Sequence, residues 1–310
     1  MRLIIDTDTA GDDCVSLLIA LRSPGVIVEA ITINCGNVEF DQQVENALYT
    51  VQVAGFGGCV PVYPGCRQPL LHPHETAEYV HGQDGMGNSF FPRATQRPEA
   101  EHGVEALVRL INANPGELTI IAQAALTNLA MAVRRDPSIA GKVKHLWIMG
   151  GTNNALGNVG PAAEYNIWVD PEAAAIVFGA GFPLTMVGWE ICTRHAVLDA
   201  AATAEVEALG TPLARFFMDI NRTVREHAMT MQGLAGTTHP DAIVAAMAVD
   251  PRVMTRSGAY FVGIETRGEY TRGATVVDLL GELRRPPNAR VCLEADGGRF
   301  RRLLLQILNG

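Results

Sequence analysis

The stretch from Leu3 to Leu21, L-I-I-D-T-D-T-A-G-D-D-C-V-S-L-L-I-A-L, constrains this chain more than any other. An apolar run, Leu3-Ile4-Ile5, leads into Asp6 and Asp8, and a Gly-containing turn then delivers Asp12 and Asp13 ahead of a second apolar segment. The first run reads as a buried parallel strand, and Cys14 to Leu21 as the helix packed back on it. The acids therefore sit at the carboxyl end of a strand, the edge where open α/β sheets bind ligands when the strand order switches. Asp12 and Asp13 fall near the helix start, where unpaired N–H groups and the macrodipole favour negative charge. Helix capping accounts for one of these acids and leaves the others unexplained. So many carboxylates within one turn repel each other unless a cation binds or some stay protonated. With no Cys or His at ligand spacing in the cluster, an oxygen-held, hard divalent ion is the natural partner.

At 310 residues with no Ser/Gly/Pro-rich linker, the chain reads as one domain over 1–310. An apolar fraction of 48% supports a sizeable core, so disorder is excluded. A net charge of −9, with dispersed Lys and Arg, argues against a nucleic-acid partner and favours a small neutral or cationic ligand. Cys14, Cys35, Cys59, Cys66, Cys192 and Cys292 show no C-x-x-C spacing and read as reduced thiols of a cytoplasmic protein. Only Ala173 to Trp189 approaches membrane length, and Gly179, Gly181 and Pro183 break it, so no membrane partner is expected.

Repeats of strand, polar turn and helix follow along the chain. Val26 to Ile33 is a β-branched strand ending in Asn34-Cys35-Gly36-Asn37, with Asn37 a cap for the Asp41 to Ala54 helix or a ligand contact. After a short strand at Val60 to Tyr63, the segment Tyr79 to Asn88 is too rich in Gly for a helix or strand interior, and its embedded His and Asp favour a flap over a plain connection. Glu101 to Ala113 reads as helix, Leu118 to Ala122 as strand, Leu126 to Arg134 as helix, Val143 to Met149 as strand, and Leu184 to Val187 as strand. Asp170-Pro171 opens a helix with an N-cap Asp and Pro at the first position. From Val197 to Asp250 the pattern is helical, a cap over the sheet edge, with Asp241 either an N-cap or something more. The tail adds Ala259 to Ile264, Thr271 to Val277, Arg290 to Leu293 and a last helix, Phe300 to Leu308. The predicted fold is an open, doubly wound, mostly parallel α/β sheet flanked by helices, with a helical cap and a C-terminal hairpin.

With the opening acids, the Asn-rich loops and the late Asp taken together, the chain resembles the inosine-uridine nucleoside hydrolases over most of its length. The segments that carry the resemblance are Asp6-Thr7-Asp8 with Asp12-Asp13, His81-Gly82-Gln83-Asp84-Gly85-Met86-Gly87, Leu126-Thr127-Asn128-Leu129-Ala130, Met149-Gly150-Gly151, Ala163-Glu164-Tyr165-Asn166-Ile167, Asp170-Pro171-Glu172-Ala173-Ala174 and Val249-Asp250-Pro251. Each is weak alone; their order and spacing are specific. The resemblance implies a Ca²⁺-dependent hydrolase that cleaves the N-glycosidic bond of ribonucleosides to free base and ribose, working as a homodimer or homotetramer. It implies Asp8, Asp13, the Thr127 carbonyl and Asp241 as calcium ligands, Asp12 on a ribose hydroxyl, Asn37, Asn158, Glu164 and Asn166 along the sugar, and Met149 beneath it. Asp8 would accept the proton of a water that the ion orients. The carboxylates and amides around the ring suit an oxocarbenium-like transition state.

The chain departs from the family pattern at the leaving group. Pyrimidine-active and nonspecific members place His directly before the late Asp; here that slot is Pro240, and His239 lies one residue earlier. His239 from its shifted position, His227, His81 or His195, or purine-type stacking, would have to activate the base. Thr9-Ala10-Gly11 also replaces the usual Pro-Gly and one variable residue, and the Ala228 to Gly236 segment lacks the Tyr of pyrimidine-active members. Two other readings stand beside the hydrolase. A non-catalytic nucleoside or ribose binder is motivated by the missing His-Asp pair. A haloacid dehalogenase-type phosphatase is motivated by Asp6-Thr7-Asp8-Thr9-Ala10, which half fits D-x-D-x-T and would require a Lys at the same sheet edge.

Overall fold

The computed structural model describes residues 1–310. In chain order the elements are β1 (Arg2–Thr7), α1 (Gly11–Arg22), β2 (Ile27–Ile33), α2 (Phe40–Val53), β3 (Val62–Pro64), α3 (Glu78–His81), α4 (Gly103–Ala113), β4 (Leu118–Gln123), α5 (Thr127–Arg135), β5 (His145–Met149), α6 (Tyr165–Val169), α7 (Pro171–Gly179), β6 (Leu184–Val187) and α8 (Trp189–His195). Then come β7 (Val197–Asp199), α9 (Ala200–Ala208), α10 (Pro212–Ile220), α11 (Arg222–Thr230), β8 (Gly236–Thr238), α12 (Pro240–Val249), β9 (Met254–Tyr260), β10 (Val262–Ile264), β11 (Thr275–Val277), β12 (Ala289–Ala295) and α13 (Gly297–Asn309).

The eight-stranded sheet runs β3-β2-β1-β4-β5-β6-β12-β9 and is parallel except for the edge strand β9. Leu3, Ile4 and Ile5 are fully buried because β1 is covered on both faces. Alternation divides them: Leu3 and Ile5 join the core under α1, α2, α10, α12 and α13, while Ile4 joins the core under α4, α5 and α7. The chain leaves β1 for β2 and β3 on one side, and later fills β4, β5 and β6 on the other. The switch point thus lies between β1 and β4, directly below the acids that follow Thr7.

Two expectations are corrected. The region from Val197 to Asp250 is not wholly helical: β7 and β8 pair antiparallel, Val197 with Thr238 and Asp199 with Gly236. Nor is all of it a cap, since Ala242 to Ala248 are at most 1% exposed and α12 packs against α1 inside the core. The Gly-rich segment begins with the single turn α3, and Asp84 then ties the loop down by accepting from the backbone N–H groups of Met86 (2.8 Å), Asn88 (2.9 Å) and Phe90 (2.6 Å). The tail contains the expected hairpin, β10 with β11, apart from the main sheet, and adds an antiparallel pairing of β9 with β12 at the sheet edge. No helix is long and apolar enough to cross a membrane.

The end of α12 carries an acid-sensitive tie. Asp250 accepts from Arg252 Nε at 2.8 Å and from Arg299 Nε, on α13, at 2.5 Å. The hydrogen bond from Arg252, with that from Arg299, holds its carboxyl down at about 2. A depressed carboxyl stabilises the fold above its unfolded value and loses that contribution as pH falls through the folded one, here between roughly pH 4 and pH 2. Asp250→Asn is expected to lower the Tm by a few degrees at pH 7, with the gap closing toward pH 2, as read by thermal melts across that range. A gap independent of pH would assign the effect to packing.

Candidate functional site

The carboxyl edge of the sheet opens into a cavity with about 700 Å³ of empty space, part of it open to solvent. The acids form its floor because the turn after β1 places them at the start of α1. Asp13 is held by four donors: Thr7 Oγ1 at 2.5 Å and Gln123 Nε2 at 3.0 Å on Oδ1, and the Ala10 N–H at 2.9 Å and Asn37 Nδ2 at 3.5 Å on Oδ2. Asp8, fully buried, accepts the Asn37 N–H on Oδ2 at 2.9 Å, and its Oδ1 has no partner. Asp12 Oδ1 is also buried without a partner, 3.7 Å from His81 Nδ1. Asp241 arrives from α12, where His239 occupies the N-cap and Pro240 the first helical position, so Asp241 is not a capping residue.

Asp12, Asp13 and Asp241 each present a carboxylate oxygen, all within 4.8 Å of one another and all buried. Burial, and then the neighbouring carboxylates, push the Asp8, Asp13 and Asp241 carboxyls above their ordinary range, Asp13 to about 7; burial alone is the leading cause at Asp12, raised to about 6. Buried carboxylates this close, two of them with oxygens lacking any donor, fit a hard divalent cation, which supplies the missing positive charge. Close approach fixes Gly36 as well: a Cβ there would lie 1.7 Å from Asp8 Oδ2.

The walls carry most of the residues foreseen from the sequence. Asp12, Asn37, His81, Met149, Asn158, Glu164, Asn166, His227 and Asp241 all line the cavity. Glu164 caps α6, accepting from the Asn166 N–H at 2.9 Å and the Gly151 N–H at 2.9 Å, and burial lifts its carboxyl to about 7. Asn166 Nδ2 reaches the Met149 carbonyl at 3.2 Å, and Asn158 Oδ1 accepts the Tyr165 N–H at 2.9 Å. Asn37 is no helix cap, since Glu39 caps α2. Asp8, Asp13 and Thr127 lie beneath the lining rather than in it. Thr127 opens α5 and donates its hydroxyl to Asp170 at 2.7 Å, which leaves only its carbonyl for a ligand. Asp170 in turn caps α7 as expected.

His239 is not brought into this cavity. Its ring is fully buried against Phe217, with centroids 5.0 Å apart, and lines a separate cavity with Asn221 and Arg225; burial drives its imidazole down to about 3. The candidate His195 sits 3.1 Å from Glu294, again outside the site. His81, on α3, and His227, on α11, do reach it, and the His227 ring meets the edge of Tyr79 at 5.7 Å. Burial pushes the His81 imidazole down to about 4. Gln123, Trp189, Tyr79 and Gln232 line the cavity without having been singled out. Gln123 and Trp189 had a legible signal, since both stand at the carboxyl end of a strand on the edge where the acids lie. The phosphatase reading fails on position: the chain's lysines, Lys142 and Lys144, stand just before β5, at the opposite end of the strands.

The model of the family described as inosine-uridine preferring nucleoside hydrolase matches residues 3–302. The chain is 36% identical to the inosine-uridine preferring nucleoside hydrolase of Leishmania major, covering 99% of this chain and 97% of that one. It is 33% identical to the pyrimidine-specific ribonucleoside hydrolase RihA of Enterobacter sp. (strain 638), with 99% and 97% covered. The solved plant nucleoside hydrolase PpNRh1 superposes with a TM-score of 0.93 at 31% identity, over 100% of this chain and 99% of that one.

Proposed function

The chain belongs to the inosine-uridine preferring nucleoside hydrolase family, and from that premise we propose that this cavity cleaves the N-glycosidic bond of ribonucleosides with Ca²⁺ held on its acidic floor. The observation that carries the proposal is the buried convergence of Asp12, Asp13 and Asp241, with Asp8, outside that triad but near enough for its charge to raise the Asp241 carboxyl, holding a partnerless Oδ1. Asp8, Asp13, Asp241 and the Thr127 carbonyl would hold the ion. An all-oxygen donor set suits a hard cation. Bound there, the cation supplies Lewis acidity toward a water and the paired hydroxyls of a ribose.

The chain's own groups do the rest. Asp12 accepts a ribose hydroxyl on its free Oδ1, while Asn37, Asn158, Glu164 and Asn166 hold the sugar and Met149 packs under it. As the bond from C1′ to the base breaks, its electron pair leaves with the base and positive charge spreads over C1′ and the ring oxygen. The carboxylates and amide oxygens around the ring stabilise that charge. Water adds to C1′ and gives its proton to Asp8 Oδ1, which no protein donor occupies. The departing base takes up a proton at the end of the cavity where His81 and His227 stand. The products are free base and ribose.

The test is incubation with a panel of purine and pyrimidine ribosides, with and without a chelator, reading free base by ultraviolet absorbance. Base release that stops on chelation and returns with added Ca²⁺ is expected. A ligand at a hundred times its Kd stabilises by about 2.7 kcal/mol, so Ca²⁺ is also expected to raise the Tm of chelated protein by about 4 °C. Binding of ribosides with no base released under any condition would favour the non-catalytic binder. Release indifferent to chelation, with no thermal shift, would remove the cation.

A further inference from the structure

Beside the nucleoside cavity lies a groove with about 1000 Å³ of empty space, part of it open to solvent, which shares Asn158, Trp189 and Gln232 with the cavity. Its far walls are Leu156, Met231 and Leu234, and Leu156 and Met231 are 76% and 75% exposed. None of its lining residues is basic. It does contain Glu190, whose Oε2 accepts the Asn153 N–H at 3.1 Å and whose Oε1 is buried without a partner.

Its place in the fold fixes which end of a substrate meets it. The cavity runs along the carboxyl edge of the sheet. His81 stands on the β2 side, where α3 is tied to Asn37 by the Ala77 N–H at 2.6 Å, and Trp189 stands at the end of β6. Four strand spacings separate β2 from β6, about 19 Å. The acids and Met149 lie between them. In a β-riboside whose 2′- and 3′-hydroxyls sit on the acids, the base on C1′ and the C5′ group on C4′ rise from the same face at opposite ends of the ring. The base needs a proton donor, and His81 stands on the α3 side, where His227 also meets Tyr79, although α11 itself runs on into Met231 and Gln232 at the groove. C5′ therefore points toward Asn158 and Trp189, where the groove begins.

We infer that the groove is a subsite for ribosides bearing an uncharged, apolar substituent on C5′, such as a short alkylthio chain. This rests on the ribosidase reading above. Leu156, Met231, Leu234 and the Trp189 ring offer the apolar surface. Glu190, with no cation lining the groove, repels a 5′-phosphate.

The experiment uses the Ca²⁺-loaded protein with p-nitrophenyl β-riboside, its 5′-deoxy-5′-alkylthio analogues from methyl to butyl, and its 5′-phosphate. Turnover of the parent is expected, with KM falling about fourfold for each added methylene and the phosphate reduced at least a hundredfold. Leu156→Asp, at an exposed position outside the nucleoside cavity, is expected to flatten the chain-length series while leaving parent kcat/KM unchanged. A hydrolysed parent with alkylthio analogues below 1% of it overturns the subsite and leaves the hydrolase standing. A flat series in the unaltered protein, or a slope that survives Leu156→Asp, overturns it too, as does a phosphate turned over like the parent. No hydrolysis of the parent overturns the ribosidase reading and the subsite together.

Discussion

Asp8→Asn is expected to lower kcat/KM for p-nitrophenyl riboside by about 10³-fold or more, within the range of a lost general base, whereas His239→Ala costs less than about threefold per folded molecule, the scale of an exchange away from the chemistry. The contrast follows from where the two side chains lie. Asp8 lies so close to Gly36 that a Cβ there would collide with its carboxyl, and its Oδ1 has no protein donor. Asn has the same shape, and its amide oxygen can still accept the Asn37 N–H. What the substitution removes is the ability to take a proton. Because Asp8 is also proposed to touch the cation, the Ca²⁺-dependent rise in Tm is measured on the same variant. A retained thermal shift with a collapsed kcat assigns the loss to proton transfer, and a vanished shift assigns it to the ion. Activity within tenfold of the unaltered protein would remove Asp8 from the mechanism altogether. For His239→Ala, whose ring fills space against Phe217, some loss of Tm is expected without loss of turnover. A collapse of turnover at unchanged Tm would restore His239 as the group that activates the base.

The opening segment was readable because one physical cause produced both its patterns. A strand covered on both faces must be apolar throughout, as Leu3-Ile4-Ile5 is, and a parallel strand must be followed by a helix that returns over the sheet. The acids between them had nowhere to go but the carboxyl edge. β7 and β8 were unreadable for the opposite reason. Three-residue strands at Val197–Asp199 and Gly236–Thr238 are too short to show alternation, and the helices between them dominate the pattern. Asp241 was ambiguous because a first-turn acid is common on helices; only its burial among other carboxylates separates it from an ordinary one. Spacing also misdirected His239. Two residues from Asp241 looks near, yet Pro240 begins α12 between them, and the imidazole turns to Phe217 while the carboxylate turns to the floor. The histidines that do line the cavity, His81 and His227, lie far from the motif in sequence. Contact between α3 and α11, which no local pattern encodes, brings them together at Tyr79.

A 2′-deoxyriboside is expected to be turned over at least about 10³-fold less efficiently than the matching riboside, because a site built to bind a hydroxyl is left with unpaired buried polar groups when that hydroxyl is missing. The free Oδ1 of Asp12 faces His81 Nδ1 across 3.7 Å, and neither atom has another partner. Burial has already raised the Asp12 carboxyl, so its ionised form lacks solvation that a hydroxyl donor would restore. The penalty is expected in kcat as well as KM if the bond to the hydroxyl strengthens while charge develops on the ring. Asp12→Asn supplies the control. It is expected to reduce riboside turnover sharply and deoxyriboside turnover much less, shrinking the ratio between them, since the group that tells the two sugars apart is then gone. Equal kcat/KM for the two sugars in the unaltered protein would mean that the acidic floor does not hold the diol. A ratio that Asp12→Asn leaves intact would move the discrimination to another side chain on the same floor.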